Sequence, residues 1–152
     1  MRFEADQKIL TLASVMETIK PKSQGFCINN RKDTAIVCKN GTIIGIPAGT
    51  FDYAECNDCI ELRVDEMLSP KELLINQAHT LANGQMLSSG GSIYLEASCN
   101  GKKLNNSTNK PITYLFPSDQ LQDDMTLWTS SNGGNDRNWT EKKDVVFSPL
   151  RG

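Results

Sequence analysis

Two stretches of this chain alternate apolar and polar residues one by one, and that period of two commits it to β-structure. Ile60-Glu61-Leu62-Arg63-Val64 and Ser92-Ile93-Tyr94-Leu95-Glu96-Ala97 each carry their aliphatic side chains on one side of an extended strand. Such a pattern forces one face inward, and a slip of one residue would turn the whole set to solvent. Ile60, Leu62 and Val64 are therefore expected to share a core with Ile93, Leu95 and Ala97 on a partner strand. Shorter runs rich in apolar or β-branched residues add candidates: Phe26–Ile28, Thr34–Cys38, Thr42–Ile46, Pro111–Pro117, Met125–Trp128 and Val145–Phe147. Asn29–Asp33 and the hairpin signal Asn40-Gly41 punctuate them. About eight strands at intervals of roughly 8–12 residues predict an all-β fold, an antiparallel β-sandwich.

Two segments depart from that pattern. In residues 1–22, Ile9, Leu12, Val15 or Met16, and Ile19 recur every three to four positions, as on an amphipathic helix stopped by Pro21. In the interior, Ser69-Pro70 with Glu72 has the form of a capping box with proline at the first helical position. One short helix is expected there, through Leu73, Leu74 and Ile75. The chain divides into an N-terminal helical or linker segment, 1–22, and a β-sandwich domain, 23–152. At 152 residues it fits one domain. A formal charge of −2 lacks the basic excess of a nucleic-acid binder. No apolar run approaches the roughly 20 residues of a membrane span. The first residues contain no uninterrupted apolar stretch of a signal peptide.

Cysteine is the residue type closest to chemistry. Cys56-Asn57-Asp58-Cys59 is a CxxC. A redox motif would need it at the start of a helix, yet Ile60 onward alternates like a strand. A zinc site would need a second compact pair, and Cys27 and Cys38 stand ten residues apart. The favoured reading is a disulfide or two reduced thiols at a turn, since i and i+3 of a β-turn lie within bridging distance. Cys27 and Cys38 form a second candidate pair: a hairpin turning at Lys32-Asp33 would set them opposite each other, bridged, half of a zinc site, or two buried small hydrophobes. Cys99 is left over, so at least one thiol is free or intermolecular.

Other candidates are weaker. His79 is the single histidine and has no recognisable nucleophile partner nearby. Gly90-Gly91 precedes a strand rather than a helix, which suits a bulge or sharp bend and not a phosphate loop. Asp119, Asp123 and Asp124, and likewise Asn132, Asn135 and Asp136, do not follow calcium-loop spacing and read as solvated turns. No metal or cofactor is expected. Trp128 and Trp139 bracket a polar loop and are candidates for ligand stacking, with core packing as the competing reading.

Longer strings carry a resemblance. Phe26-Cys27-Ile28-Asn29, Asp33-Thr34, Asn40-Gly41-Thr42-Ile43-Ile44-Gly45-Ile46-Pro47-Ala48-Gly49-Thr50-Phe51 and Ile60–Glu66 resemble the opening of an uncharacterised envelope and surface-protein domain of Bacteroidetes. So do Asn83–Ala97, with its Gly-Gly stretch as the most specific part, Gly101–Leu104, Phe116-Pro117, Met125–Trp128 and Asn138-Trp139. The likeness spans roughly residues 23–142, and its early strands are similar to ZU5-like all-β interaction modules. It implies an exported, lipoprotein-like protein located outside the cytoplasm, with a non-catalytic structural or protein-binding role. Partners would be proteins or glycans at the cell surface. Cys56–Cys59 departs from the family, which often has a Gly-containing turn there; added thiols suit an oxidising compartment. A carbohydrate-binding module is the alternative, and a metal-assisted enzyme a more distant one. Asp33-Thr34-Ala35 also fits a short O-glycosylation acceptor pattern of such bacteria.

Overall fold

The computed structural model describes residues 11–52, 56, 59–76, 81–82, 85–86, 89–106, 109–117, 124–130, 139–143 and 145. Among them, two helices and eleven strands follow in the order α1 (Leu12–Ile19), β1 (Gln24–Ile28), β2 (Thr34–Val37), β3 (Ile43–Ile46), β4 (Ile60–Met67), α2 (Pro70–Ile75), β5 (Leu81–Ala82), β6 (Gln85–Met86), β7 (Ser92–Cys99), β8 (Lys102–Leu104), β9 (Thr113–Leu115), β10 (Leu127–Thr129) and β11 (Thr140–Lys142). All pairings are antiparallel. A four-stranded sheet runs β1-β4-β7-β8 and a three-stranded sheet β2-β3-β9, with β5-β6 and β10-β11 as separate two-stranded ribbons.

The two alternating stretches pair as expected, Leu62 opposite Ala97 and Val64 opposite Leu95. Their aliphatic side chains meet those of the smaller sheet in one core. Ile60, Leu62 and Val64 from β4, Ile28 from β1, Ile36 from β2, and Ile44 and Ile46 from β3 are all buried within it. Phe51 and Leu104 belong to it as well, and Ile93 and Leu95 pack against it. This is the sandwich that period two demands. Each fully buried aliphatic side chain contributes on the order of 1.5–3 kcal/mol of transfer free energy.

The turns follow local chemistry. Between β2 and β3 the chain reverses over Lys39-Asn40-Gly41, with the Cys38 N–H donating to the Thr42 carbonyl at 2.8 Å. Gly41 supplies the φ of +95° that a side chain would resist. Between β7 and β8 only Asn100 and Gly101 intervene, both at positive φ (49° and 75°), the condition for a type I′ hairpin.

Both predicted helices form. Thr11 caps α1, its hydroxyl accepting from the Ser14 N–H at 3.2 Å, and the helix ends before Pro21. The described part of its apolar stripe is open to solvent, however: Leu12, Val15 and Ile19 are exposed at 75%, 37% and 54%. In α2 the capping box is complete. Ser69 Oγ accepts from the Glu72 N–H at 3.2 Å, and Glu72 Oε2 accepts from the Ser69 N–H at 3.0 Å.

Candidate functional site

The one buried carboxylate among the described residues sits where the two sheets meet. Glu66, near the end of β4, is inward-facing and almost inaccessible. Its Oε2 accepts from Gln24 Nε2 at 2.9 Å and from the Asn40 N–H at 2.8 Å, and its Oε1 from the Thr42 N–H at 3.2 Å. Gln24 turns its own oxygen to the Lys39 N–H, 2.6 Å away. One side chain from β1 and one from β4 thus bind three backbone donors of the β2–β3 turn. Burial alone would raise the Glu66 pKa. The Thr42 hydroxyl, the Asn40 N–H, the Gln24 amide and the Thr42 N–H outweigh it and hold the carboxyl below its ordinary value. The Thr42 hydroxyl lies fully buried beside the carboxylate, without a hydrogen bond of normal geometry. Cys38, buried beside the same turn, is a free thiol whose pKa is raised by burial and then by the Glu66 charge. A nucleophile needs the opposite shift. This corner is a clamp between sheets.

The outward face of the four-stranded sheet is different. Strand alternation and register place Gly25, Arg63 and Glu96 in one row across it, Cys27, Glu61, Ser98 and Lys103 in the next, and Asp65 opposite Tyr94. Tyr94 donates from its hydroxyl to Glu96 Oε2 at 2.5 Å, and Lys103 Nζ reaches the same oxygen at 2.9 Å. The Arg63 guanidinium lies over the Tyr94 ring, 5.7 Å from its centroid. Its Nε donates to Ser23 Oγ at 2.8 Å and its Nη2 pairs with Asp65 at 3.4 Å. The hydroxyl of Tyr94, followed by Lys103, holds the Glu96 carboxyl below its usual range. Gly25, opposite Arg63, leaves a notch: a Cβ there would meet nothing within 4 Å. The result is a pre-ordered polar surface of both charge signs on paired strands.

The cysteines pair otherwise than the sequence suggested. Cys27 bridges Cys59, and Cys56 bridges Cys99, with Cα separations of 5.3 and 6.1 Å. Cys56 and Cys59 are not joined to each other, and Cys38, not Cys99, is the odd thiol. The expected Cys27–Cys38 pair assumed that neighbouring strands form a hairpin. Instead β1 pairs with β4 and β2 with β3, which puts Cys27 in one sheet and Cys38 at the end of a strand of the other. Register then explains the bond that forms. Cys27 stands opposite Glu61, and Cys59, two residues earlier, projects to the same side. Cys56 instead turns into the core beside the end of β7.

Trp128 lies in β10 of the small ribbon and Trp139 immediately before β11. Trp128 is opposite Glu141, so Trp139, two residues before Glu141, faces the same way. Both are half-buried, and Trp128 Nε1 donates to Thr126 Oγ1 at 3.0 Å. Gly91 fits the sharp bend expected of it, with φ +139° and Leu68 Cδ2 only 3.2 Å from where a Cβ would stand. Asp124 is exposed. His79, Asp119, Asp123, Asn132, Asn135, Asp136 and the 146–147 part of a predicted strand lie outside the described residues. Among the described residues, no three His, Cys, Asp or Glu side chains gather as a metal would require, and no helix is long and apolar enough to cross a membrane.

Sequence reasoning missed the polar face, though its signal was in the alternation: the residues between the aliphatics are charged or aromatic on both strands. It missed Glu66 as well, although the same alternation sets position 66 on the face of Ile60, Leu62 and Val64. No protein family, curated protein or solved structure matches this chain.

Proposed function

We propose that this chain is a non-catalytic structural or protein-binding module of a bacterial cell envelope, and that it meets a protein partner through the outer face of its four-stranded sheet. The observation that carries the reading is the Arg63–Tyr94–Glu96–Lys103 array. Its side chains are fixed by hydrogen bonds and stacking before any partner arrives, which lowers the ordering cost of association. Charges of both signs at fixed positions favour specificity over raw affinity. Two disulfides in a chain of this size support an oxidising, extracytoplasmic location. Against catalysis, the Cys38 thiol is held protonated and the nearby Glu66 carboxylate is occupied by backbone donors.

A photo-crosslinking residue placed at Ser98, on the polar face, tests this in intact cells. A discrete adduct is expected there and none from Val37 on the opposite sheet, and the charge reversals Arg63→Glu and Glu96→Lys should abolish it without altering the circular dichroism. Equal labelling from both positions would defeat the assignment.

The common orientation of Trp128 and Trp139 favours a second reading, glycan binding on the β10–β11 ribbon. Indole faces stack on sugars, and Glu141 beside them would accept hydroxyl hydrogen bonds. Tryptophan fluorescence unmoved by a panel of soluble plant and bacterial glycans would remove it.

A further inference from the structure

The two disulfides differ sharply in how they meet solvent. Cys27 and Cys59 are both exposed on the outer face of the four-stranded sheet. Cys56 and Cys99 lie in the core, at 9% and 2% exposure. Thiol–disulfide exchange requires a thiolate to approach a sulfur atom, so access decides which bond reacts. The protein's own free thiol offers no internal route, because Cys38 is buried and its pKa is raised.

We propose that Cys27–Cys59 is a thiol-exchange site for small aminothiols, while Cys56–Cys99 is a permanent staple. A thiolate attacks one sulfur of the pair, forming a new S–S bond. The Cys27–Cys59 bond breaks, its electron pair leaves on the displaced cysteine, and that thiolate takes a proton from water. The product is a mixed disulfide. A second molecule of the same thiol attacks the mixed disulfide, releasing the small disulfide and leaving two protein thiols. Two small thiols are oxidised and one protein disulfide is reduced.

The fold tolerates this opening. β1 stays joined to β4 through the register from Gln24–Val64 to Ile28–Ile60. Gln24 at the far end of the same strand keeps its hold on Glu66 and Lys39. What is lost is the covalent tie between β1 and the segment leading into β4. The preference for an aminothiol comes from Glu61, which is exposed and directly opposite Cys27 in register. Its carboxylate attracts an ammonium-bearing thiol and repels an acidic one.

Native protein is treated with limited cysteamine or mercaptoethanesulfonate at low salt, trapped by alkylation and mapped by mass spectrometry. Modification is expected at Cys27 and Cys59 first, with the Cys56–Cys99 peptide pair still bridged and the far-ultraviolet dichroism unchanged. The cysteamine-to-sulfonate rate ratio should fall by roughly three- to tenfold in Glu61→Gln, as expected for one charge acting with opposite sign on the two reagents from roughly 7–10 Å in water. Added salt should shrink the wild-type ratio in the same direction. Opening of Cys56–Cys99 first, opening of both bonds together, or free thiols at Cys27 and Cys59 in protein isolated under air would overturn the site. A rate ratio unchanged by Glu61→Gln would overturn the aminothiol preference.

Discussion

The outer faces of the two sheets are built from the same kind of strand and carry opposite surfaces. On the larger sheet, Glu61, Arg63, Asp65, Glu96 and Lys103 project outward with Tyr94 among them. On the smaller, the outward positions are Ala35, Gly45 and Thr113 in one row and Val37, Ile43 and Leu115 in the next, without a charge. Both inner faces are mainly aliphatic, so folding alone does not account for the contrast. An uncharged outer face satisfies a sandwich at little cost when it is only three or four residues deep. A face of linked charges adds little stability, because exposed ion pairs contribute about 0–1 kcal/mol each. Under the binding role proposed above, the charge array would serve recognition and the small sheet would back the core.

That division of roles would break if the smaller sheet were dispensable to the larger one, and Glu66 decides the point. Removing it in Glu66→Ala strips acceptors from the Asn40 and Thr42 N–H groups and from Gln24. With the Thr42 N–H left buried and unmet and two part-buried donors released, the loss should be about 2–3 kcal/mol, read as a lowered urea midpoint. A loss under about 0.5 kcal/mol, the range of ordinary surface substitutions, would mean the clamp is idle. The same group predicts a pH dependence. Its folded pKa is depressed, so its contribution is fully present above the ordinary carboxylate value and fades as pH falls through the lower folded value. Glu66→Gln should flatten that acid limb; an unchanged limb would assign it to other carboxylates.

This corner also marks how far the sequence could be read. Period two at Ile60–Val64 and Ile93–Ala97 specified which side chains are buried and predicted the β4–β7 pairing, because burial acts on every second residue. The Ser69 capping box was equally legible, being local. What failed was long-range: nothing near Cys27 says that β1 will pair with a strand 32 residues on in preference to its neighbour. The Asn100-Gly101 turn was a missed opportunity, since it carries the same dipeptide signal as Asn40-Gly41 and would have revealed β8. The Glu66 clamp was unreadable for a different reason. Two of its three hydrogen-bond donors are backbone groups, which every sequence possesses.

Smaller effects sharpen the contrast between the faces. Glu96→Ala removes the shared acceptor of Tyr94 and Lys103 and should lower stability by about 1 kcal/mol at most, given its partial exposure. Val37→Ser, on a side chain 64% exposed, should shift it by no more than about 0.5 kcal/mol. Partner crosslinking should fail in the first variant and survive in the second. Loss of crosslinking in Val37→Ser alone would move the binding face to the small sheet.

The subtlest difference is invisible at neutral pH and belongs to two tyrosines. Tyr94 on the polar face has its phenol pKa raised by burial, then by the hydrogen bond it donates to Glu96 and by the Glu96 charge, with Lys103 and Arg63 opposing. Tyr114, on the inward side of β9, is pushed up to about 12 by burial alone. That burial concerns the hydroxyl end, since the residue keeps 38% of its surface open. Both folded values lie above the unfolded one, so any stability they add is intact below the ordinary phenol range and declines as pH rises through the folded values. In an alkaline absorbance titration, Glu96→Gln should move the Tyr94 component toward the ordinary value and leave the Tyr114 component in place, because only Tyr94 touches that carboxylate. Tyr94→Phe and Tyr114→Phe identify which component is which. If both components shift together in Glu96→Gln, the two faces are electrostatically coupled through the core and the separation of their roles does not hold.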